Sequence, residues 1–177
     1  MADSRDDSDA VLSEENTKLT FYYDTQKSVR NGMDIGPFGL FDQCWNGHAA
    51  EITSVTFDES FADCNTLTNT DYWFHGCEKL TTLNGIANLN TGNVTSMEGM
   101  FCECKALTSI DVSHFDTSNV TNMTNMFSLC GLLTNLDVSN FDTKKARTMS
   151  YMFMGCGALS NLDVSHFDTS NGKQHAL

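Results

Sequence analysis

Aspartate and serine residues recur in this sequence at a spacing that could build a repeated binding surface. Asp111, Asp137 and Asp163 stand 26 residues apart, and a serine follows each of them two positions later. Each aspartate alternates with apolar residues, as in Ile110-Asp111-Val112-Ser113, a pattern typical of a half-buried strand. The aspartates should therefore point to solvent. The candidate ligand-binding residues are Asp111, Ser113, Asp137, Ser139, Asp163 and Ser165.

Two interpretations of these six residues, here named the acidic stripe, stay open. Stacked carboxylates about 5 Å apart repel each other by roughly 1 kcal/mol even in water. A surface that keeps this arrangement can be a ligand-binding or cation-binding face. It can equally be a solvated face that only keeps the protein soluble.

A second set of aspartates precedes the segment that reads as a helix in each repeat. Asp116, Asp142 and Asp168 occupy this position, and Asn90 replaces them in an earlier repeat. Both residue types accept backbone N–H groups at a helix N-terminus, where negative charge is also favourable. We therefore predict a capping role for this set.

Cysteine is the third residue type with a regular spacing. Of the seven cysteines, Cys77, Cys104, Cys130 and Cys156 occupy equivalent positions. We predict a reduced, buried row with neighbours about 5 Å apart, since a free cysteine packs as a small apolar residue. Disulfides between neighbouring cysteines of this row and a zinc site are the alternatives. Cys102-Glu103-Cys104 is a poor match to zinc-motif spacing, so we predict no metal ligands, no cofactor and no catalytic residues.

The apolar residues repeat with the same period and indicate how these side chains are positioned. Phe101, Phe127 and Phe153 stand 26 residues apart, and a fixed period of this size marks a stacked-repeat architecture. In one unit a strand near Ile110 would be followed by a turn. A helix would then bury Val120, Met123, Met126 and Phe127 on one face. The pattern predicts an α/β solenoid, a leucine-rich-repeat-like stack of strand-turn-helix units of about 26 residues.

The chain divides into three parts by composition. Residues 1–16 are acidic and polar and read as a disordered leader. Residues 17–51 read as an N-terminal β-hairpin cap, formed by the apolar segment near Leu19 and a later turn at 36–39. The solenoid would span 52–177, with units 52–80, 81–107, 108–133, 134–159 and a partial unit 160–177.

Charge and hydropathy exclude several partner classes. The formal net charge is −13, so nucleic acid and anionic membranes are not expected partners. No apolar run is long enough for membrane insertion. The polar N-terminus does not read as a signal peptide.

The repeat strings resemble a known family. Leu-Asp-Val-Ser-x-Phe-Asp-Thr-Ser-Asn-Val-Thr-Asn-Met and Met-Phe-x-x-Cys-x-x-Leu are similar to the BspA-like leucine-rich repeat, the bacterial surface-protein 26-residue repeat. The match is clear over 81–171 and loose over 52–80. The segment Leu19–Asp24 with Asn31-Gly32-Met33 also resembles segments that precede such repeats in Bacteroidetes-type surface proteins. The resemblance implies a cell-surface or secreted protein in adhesion or protein binding, and it names no ligand.

These observations favour a non-enzymatic interaction module that binds a host or neighbouring-cell protein or glycan through the exposed sheet face. A structural unit that self-associates through its solenoid ends is the alternative. In the last unit Gly172 replaces the apolar residue that should start its helix. We therefore also expect a homodimer through the C-terminal end, at roughly 150–177.

Overall fold

Four short strands form one mixed sheet in the computed structural model, which describes residues 8–43 and 45–171. The strands lie side by side in chain order: β1 Ser8–Ser13, β2 Lys18–Tyr23, β3 Ser54–Phe57 and β4 Thr82–Asn84. β1 is antiparallel to β2, whereas β3 is parallel to both of its neighbours.

Helical structure is sparse in the described residues. The α-helix α1 spans Lys27–Arg30, and short 3-10 helices span Asn46–Glu51, Glu59–Asp63 and Ile86–Asn88. No helix in the described part of the chain has the length and apolar character needed to cross a membrane.

The prediction of a disordered leader is wrong for residues 8–16, because β1 is an ordered strand paired with β2 along its whole length. Ala10 is fully buried, and so is Asp9. The Asp9 carboxylate accepts a hydrogen bond from Arg30 Nη2 at 2.6 Å, which offsets the loss of its hydration. Residues 1–7 of the predicted leader lie outside the described residues.

An N-terminal β-hairpin is present, but its strands differ from those predicted. β2 pairs with the preceding β1, not with the segment around the 36–39 turn. The segment after β2 instead forms α1, and Arg30 at its end also binds Asp24 at 2.9 Å. Arg30 links α1 to the hairpin, and that contact replaces the strand pairing that we expected.

The 26-residue repeats lie beside one another in register. The backbone N–H of Thr121 donates to Thr95 at 2.8 Å, and the N–H of Arg147 donates to Thr121 at 2.8 Å. Parallel bridges join Ser96 to Asn122 and Asn122 to Thr148. Equivalent backbone groups of successive repeats are therefore hydrogen-bond partners, as the fixed period predicts.

The predicted helix in each repeat is wrong. In the unit 108–133, the N–H groups of Asn125 and Phe127 donate to carbonyl oxygens of the next repeat at 3.0 and 2.9 Å. Asn125 and Leu129 have positive φ angles of 57° and 61°, each at the third position of a four-residue turn. Two successive turns bury residues at i, i+3 and i+7, which is the spacing that we read as a helix.

The predicted strands of the later repeats are also shorter than expected. Beyond β4, the segment containing Asp111 pairs with the next repeat only at the bridge between Ser109 and Asn135. The turns that follow take up most of each repeat, so the hydrogen bonds between repeats are spread along it and are not concentrated in a ladder.

The interior contains parallel columns of equivalent side chains. Phe101 and Phe127 stack with ring centroids 5.5 Å apart, and Phe127 and Phe153 lie 6.0 Å apart. The burial predicted for Leu136 and Phe127 is confirmed, at 4% and 0% exposure. The other positions expected to be buried are only partly so, although they pack against the same core: Ile110, Phe153 and Leu162.

Threonines form a polar row inside the repeats. Thr117 Oγ1 accepts a hydrogen bond from the N–H of Asp142 at 2.8 Å and donates to the carbonyl of Asp142 at 3.1 Å. Thr91 makes the same pair of bonds to Asp116. Each hydroxyl thus satisfies both backbone groups of a residue in the next repeat, which is how a buried polar side chain is tolerated here.

Candidate binding face

The three aspartates of the acidic stripe lie on the surface in equivalent conformations. Asp111, Asp137 and Asp163 are exposed, whereas Val112 and Val138, which follow two of them, are each 1% exposed. The alternation of apolar and polar residues therefore turns the carboxylates outward, as predicted, even though the segment is not a continuous strand. The stripe runs across units 108–133, 134–159 and the start of the next.

Each aspartate of the acidic stripe is held by the serine two residues later. The Oδ1 atoms of Asp111, Asp137 and Asp163 accept the serine N–H groups at 3.0, 2.9 and 2.9 Å. Three short aspartate–serine turns of the same geometry result, so sequence and structure repeat together. The serines thereby orient the carboxylates, and all three serines are exposed themselves.

The environment favours the charged form of these carboxylates. The hydroxyl of Ser113, and after it the N–H of Ser113, lowers the pKa of Asp111. Ser139 and Ser165 lower the pKa of Asp137 and the pKa of Asp163 in the same order of causes. Hydrogen bonds that strengthen on ionisation outweigh the repulsion that Asp111 exerts on Asp137.

The charges of the stripe are not isolated from one another or from histidine. Asp111 and Asp137 interact electrostatically, and His166 interacts with both Asp137 and Asp163. His166 Nε2 lies 3.1 Å from the carbonyl oxygen of Val138. The stripe is thus one connected surface with a histidine beside its last two carboxylates.

The predicted capping aspartates have a related geometry but a different context. Asp116, Asp142 and Asp168 each accept the N–H of the residue two positions later, at 2.9, 3.0 and 2.9 Å. These bonds close turns, and no helix follows them in the part of the chain that the structure describes. The acceptor role was correct, and the helix that Asp116 and Asp142 were expected to cap is absent from the described residues after them.

The cysteine row is buried as predicted. Cys77, Cys104 and Cys130 are 0% exposed and Cys156 is 9% exposed. The thiols of Cys104, Cys130 and Cys156 donate to phenylalanine carbonyls of the preceding repeat at 3.3, 3.1 and 3.0 Å. Desolvation raises the pKa of the Cys77 thiol, and that of Cys130, to about 12. Cys77, Cys102, Cys104, Cys130 and Cys156 are free thiols, and Cys44 lies outside the described residues.

One group of side chains in the described residues could hold a metal ion, and it lies away from the acidic stripe. His75, Cys102 and Glu103 place one ligand atom each within 4.8 Å of one another. Spacing along the chain does not reveal this group, because His75 comes from the preceding repeat. The signal that could have found it is the equivalence of positions 75 and 102 in the repeat register.

A basic cleft lies between residues of the later repeats. It has a volume of about 700 Å³ and is lined by Thr121, Lys144, Lys145, Arg147 and Asn171. Lys145 Nζ donates to Asn119 Oδ1 at 2.7 Å. None of the acidic-stripe residues lines this cleft, so the basic and the acidic surface are formed by different residues.

Comparisons with known proteins place the chain in a family. No curated protein matches its sequence. Among solved structures, the chain matches the crystal structure of the T. pallidum leucine-rich repeat protein TpLRR, with 17% sequence identity and a TM-score of 0.41. That match covers 86% of this chain, which spans 66% of the other protein's length. Residues 48–176 match the family described as Mycoplasma protein of unknown function, DUF285, and the chain therefore belongs to this family.

Proposed function

We propose that this chain is a BspA-like, leucine-rich-repeat-like solenoid that acts as a non-enzymatic interaction module. It binds a protein or glycan partner through the exposed face that bears the acidic stripe. Its site of action is the cell surface or the secreted milieu, and its role is adhesion to a host or neighbouring cell.

The observation that carries this proposal is the repetition of the aspartate–serine turn. Asp111, Asp137 and Asp163 present carboxylates in the same conformation, one per repeat. A partner with cationic or hydroxyl groups at a similar interval can contact all three at once. Several weak contacts on one rigid surface then add up to useful affinity, without a deep pocket.

The net charge limits which partners fit. A formal charge of −13 disfavours nucleic acid and anionic membranes and favours a basic protein segment or a neutral glycan. The serine hydroxyls next to the carboxylates can donate and accept hydrogen bonds, as sugar recognition requires.

The test replaces the three stripe aspartates and compares the result with a variant of equal charge. D111N/D137N/D163N is compared with E15Q/E59Q/D63N, whose residues are exposed and lie outside the stripe. Binding is measured to immobilised basic peptides, extracellular-matrix proteins and a glycan array. We expect the stripe variant to lose at least about tenfold in affinity for the selected partner, and the control to keep it. Equal losses of affinity in the two variants would show that only the net charge matters and would contradict the proposal.

The pH dependence of binding gives an independent check. Because serine hydrogen bonds lower the pKa of each stripe carboxylate below the ordinary value of 3.8, the carboxylates stay ionised until the pH falls below that value. Binding of a basic ligand should therefore persist through about pH 5 and fall only in stronger acid. A loss near neutral pH would assign the contact to histidine instead.

A self-associating structural unit is the second candidate function, and exposed apolar side chains favour it. Leu132, Tyr151 and Met154 are 56%, 50% and 45% exposed in neighbouring repeats. Burial of Tyr151 and Met154 against a second copy, through roughly 150–177, would form a homodimer. Light scattering over a concentration series tests the dimer, with Y151S/M154S expected to shift it to monomer. A wild-type chain that stays monomeric at high concentration would exclude it.

A further inference from the structure

A histidine, a cysteine and a glutamate from adjacent repeats converge on one side of the molecule. One ligand atom each from His75, Cys102 and Glu103 lies within 4.8 Å of the others. His75 Nε2 lies 3.9 Å from Glu103 Oε1. All three residues are buried or partly buried, with 9% exposure for Cys102.

The repeat register brings these residues together. Positions 75 and 102 are equivalent in successive repeats, and the N–H of Gly76 donates to the carbonyl of Cys102 at 2.9 Å. Glu103 is anchored to the next repeat, where its N–H donates to Ser128 at 2.8 Å. Backbone hydrogen bonds on both sides therefore hold the donors in place, which lowers the entropic cost of binding an ion.

The donor set has the chemistry of a zinc site. Imidazole nitrogen, thiolate sulfur and carboxylate oxygen are the ligands that Zn²⁺ takes in proteins, with bonds of about 2.0–2.3 Å. Tetrahedral coordination with such bonds places the ligand atoms roughly 3.3–3.8 Å apart. A contraction of about 1 Å, within the reach of side-chain rotation, would bring these three atoms to that spacing.

The neighbouring groups leave the cluster open to a cation. Nδ1 of His75 is buried and has no hydrogen-bond partner among the described residues, which is costly for a buried polar atom. Lys105 Nζ lies 3.3 Å from Glu103 Oε2 and so leaves the other oxygen, Oε1, on the His75 side. Phe41 packs edge-on against His75 with ring centroids 5.3 Å apart, which limits rotation of the imidazole.

We propose that His75, Cys102 and Glu103 bind one Zn²⁺ ion through an imidazole nitrogen, Sγ and a carboxylate oxygen. A water molecule completes the fourth position, as in zinc sites with three protein ligands. The site crosslinks two successive repeats. Binding releases the thiol proton of Cys102 to solvent, because the coordinating form of cysteine is the thiolate. The net charge of −13 raises the concentration of divalent cations near the protein surface.

Cobalt and zinc titrations of the reduced, metal-free protein test the site directly. We expect a thiolate-to-cobalt absorption band that saturates at about one equivalent of Co²⁺ and disappears when Zn²⁺ is added. Competition with a chromophoric chelator then gives the affinity for Zn²⁺. C102S should abolish the band, and E103Q and H75Q should each weaken Zn²⁺ binding by about tenfold or more.

Two control variants separate the site from unspecific binding. Cys156 has the same 9% exposure as Cys102, so C156S should leave the cobalt band unchanged. His48 and Glu51 form a histidine–carboxylate pair at 3.1 Å without a thiol, so H48A should also have no effect. Circular dichroism checks the fold of each variant. E103Q removes the charge of the side chain but keeps its shape, so it still tests the site if C102S does not fold. Absence of the band, or an equal loss in C102S and C156S, would overturn the proposal.

Discussion

The first half of the chain buries its rings in a cluster, and the second half buries them in a column. Around β2 and β3, Phe21 contacts Trp45, Phe57 and Trp73 with ring centroids 5.6, 4.9 and 4.9 Å away. In the later repeats the described ring contacts of Phe127 are with Phe101 and Phe153, one ring in each neighbouring repeat. A cluster connects elements that are distant in the chain, whereas a column connects each repeat to the next. A substitution should therefore spread its effect in the first region and stay local in the second.

The largest effect should follow from W73A in the cluster. Trp73 is fully buried, stacks on Phe21, and donates from Nε1 to the carbonyl of Ile35 at 3.0 Å. We expect the free energy of unfolding to fall by about 5 kcal/mol, at the upper end for a large aromatic side chain. Urea denaturation measures this loss. F41A is the control, because Phe41 is 60% exposed and its removal should cost much less. Similar losses in both variants would contradict the cluster.

A smaller effect should follow from F127A in the column. The side chain is fully buried, but its ring contacts are confined to the two adjacent repeats. We expect a loss of about 3 kcal/mol in unfolding free energy. Hydrogen exchange should accelerate in units 108–133 and 134–159 while β1, β2 and β3 stay protected. Faster exchange throughout the chain would show that the two regions do not differ in this way.

A third variant tests the polar row of the repeats. T117V keeps the shape of the side chain and removes the hydroxyl that bonds both backbone groups of Asp142. The N–H of Asp142, which is partly buried, then loses its partner, so we expect a loss of about 1–3 kcal/mol in unfolding free energy. The exposed Thr134 makes a single bond of 3.1 Å to Thr108, and T134V should change stability by less than about 0.5 kcal/mol. Equal losses of stability in T117V and T134V would show that the buried threonine row is no more important than an exposed threonine.

The smallest expected effect is the contribution of the buried thiols to the pH dependence of stability. Buried thiols are present in both regions, and their contribution is negligible at neutral pH. Burial raises the pKa of Cys77 and the pKa of Cys130 from 9.0 to about 12 in the folded chain. The folded state therefore binds more protons than the unfolded state above about pH 9, and stability should fall as the pH rises towards 12. Urea denaturation at about pH 7 and about pH 10 measures this change, and C130A should flatten it. Rapid labelling of Cys104 in the folded protein would contradict the burial.

The period of the sequence predicts the stacking of repeats but not the backbone path within one. Val120, Met123 and Phe127 have helical spacing, and two consecutive turns bury the same positions. The discriminating signal is glycine. Gly99 and Gly155 occupy the two left-handed positions at which Asn125 and Leu129 stand in the unit 108–133. A helix has no place for a recurrent positive φ angle, so a comparison of the repeats position by position would have revealed the turns.

The site residues divide along the same line. The exposure of Asp111, Asp137 and Asp163 follows from local alternation, which the sequence contains. The proximity of His75 to Cys102 depends on the alignment of two repeats, and the ion pair of Asp9 with Arg30 depends on the packing of α1 against β1. The first contact could have been found only by aligning the repeats, and the second is set by three-dimensional packing that no repeat register encodes. An acidic segment with a buried aspartate resembles a disordered leader until its arginine partner is placed.

The hydrogen bonds between repeats have a mechanical consequence. Bonds such as those from Thr121 to Thr95 and from Arg147 to Thr121 join each repeat to its neighbour at one level of the stack. A pulling force on the two ends of the chain would load these bonds one repeat at a time, as in opening a zipper, and not all at once as in shearing. Each repeat that opens would add about 90 Å of extended chain, from 26 residues at roughly 3.4 Å each. The stack would thus lengthen in steps under tension, and the aromatic cluster of the first half would be the last part to yield.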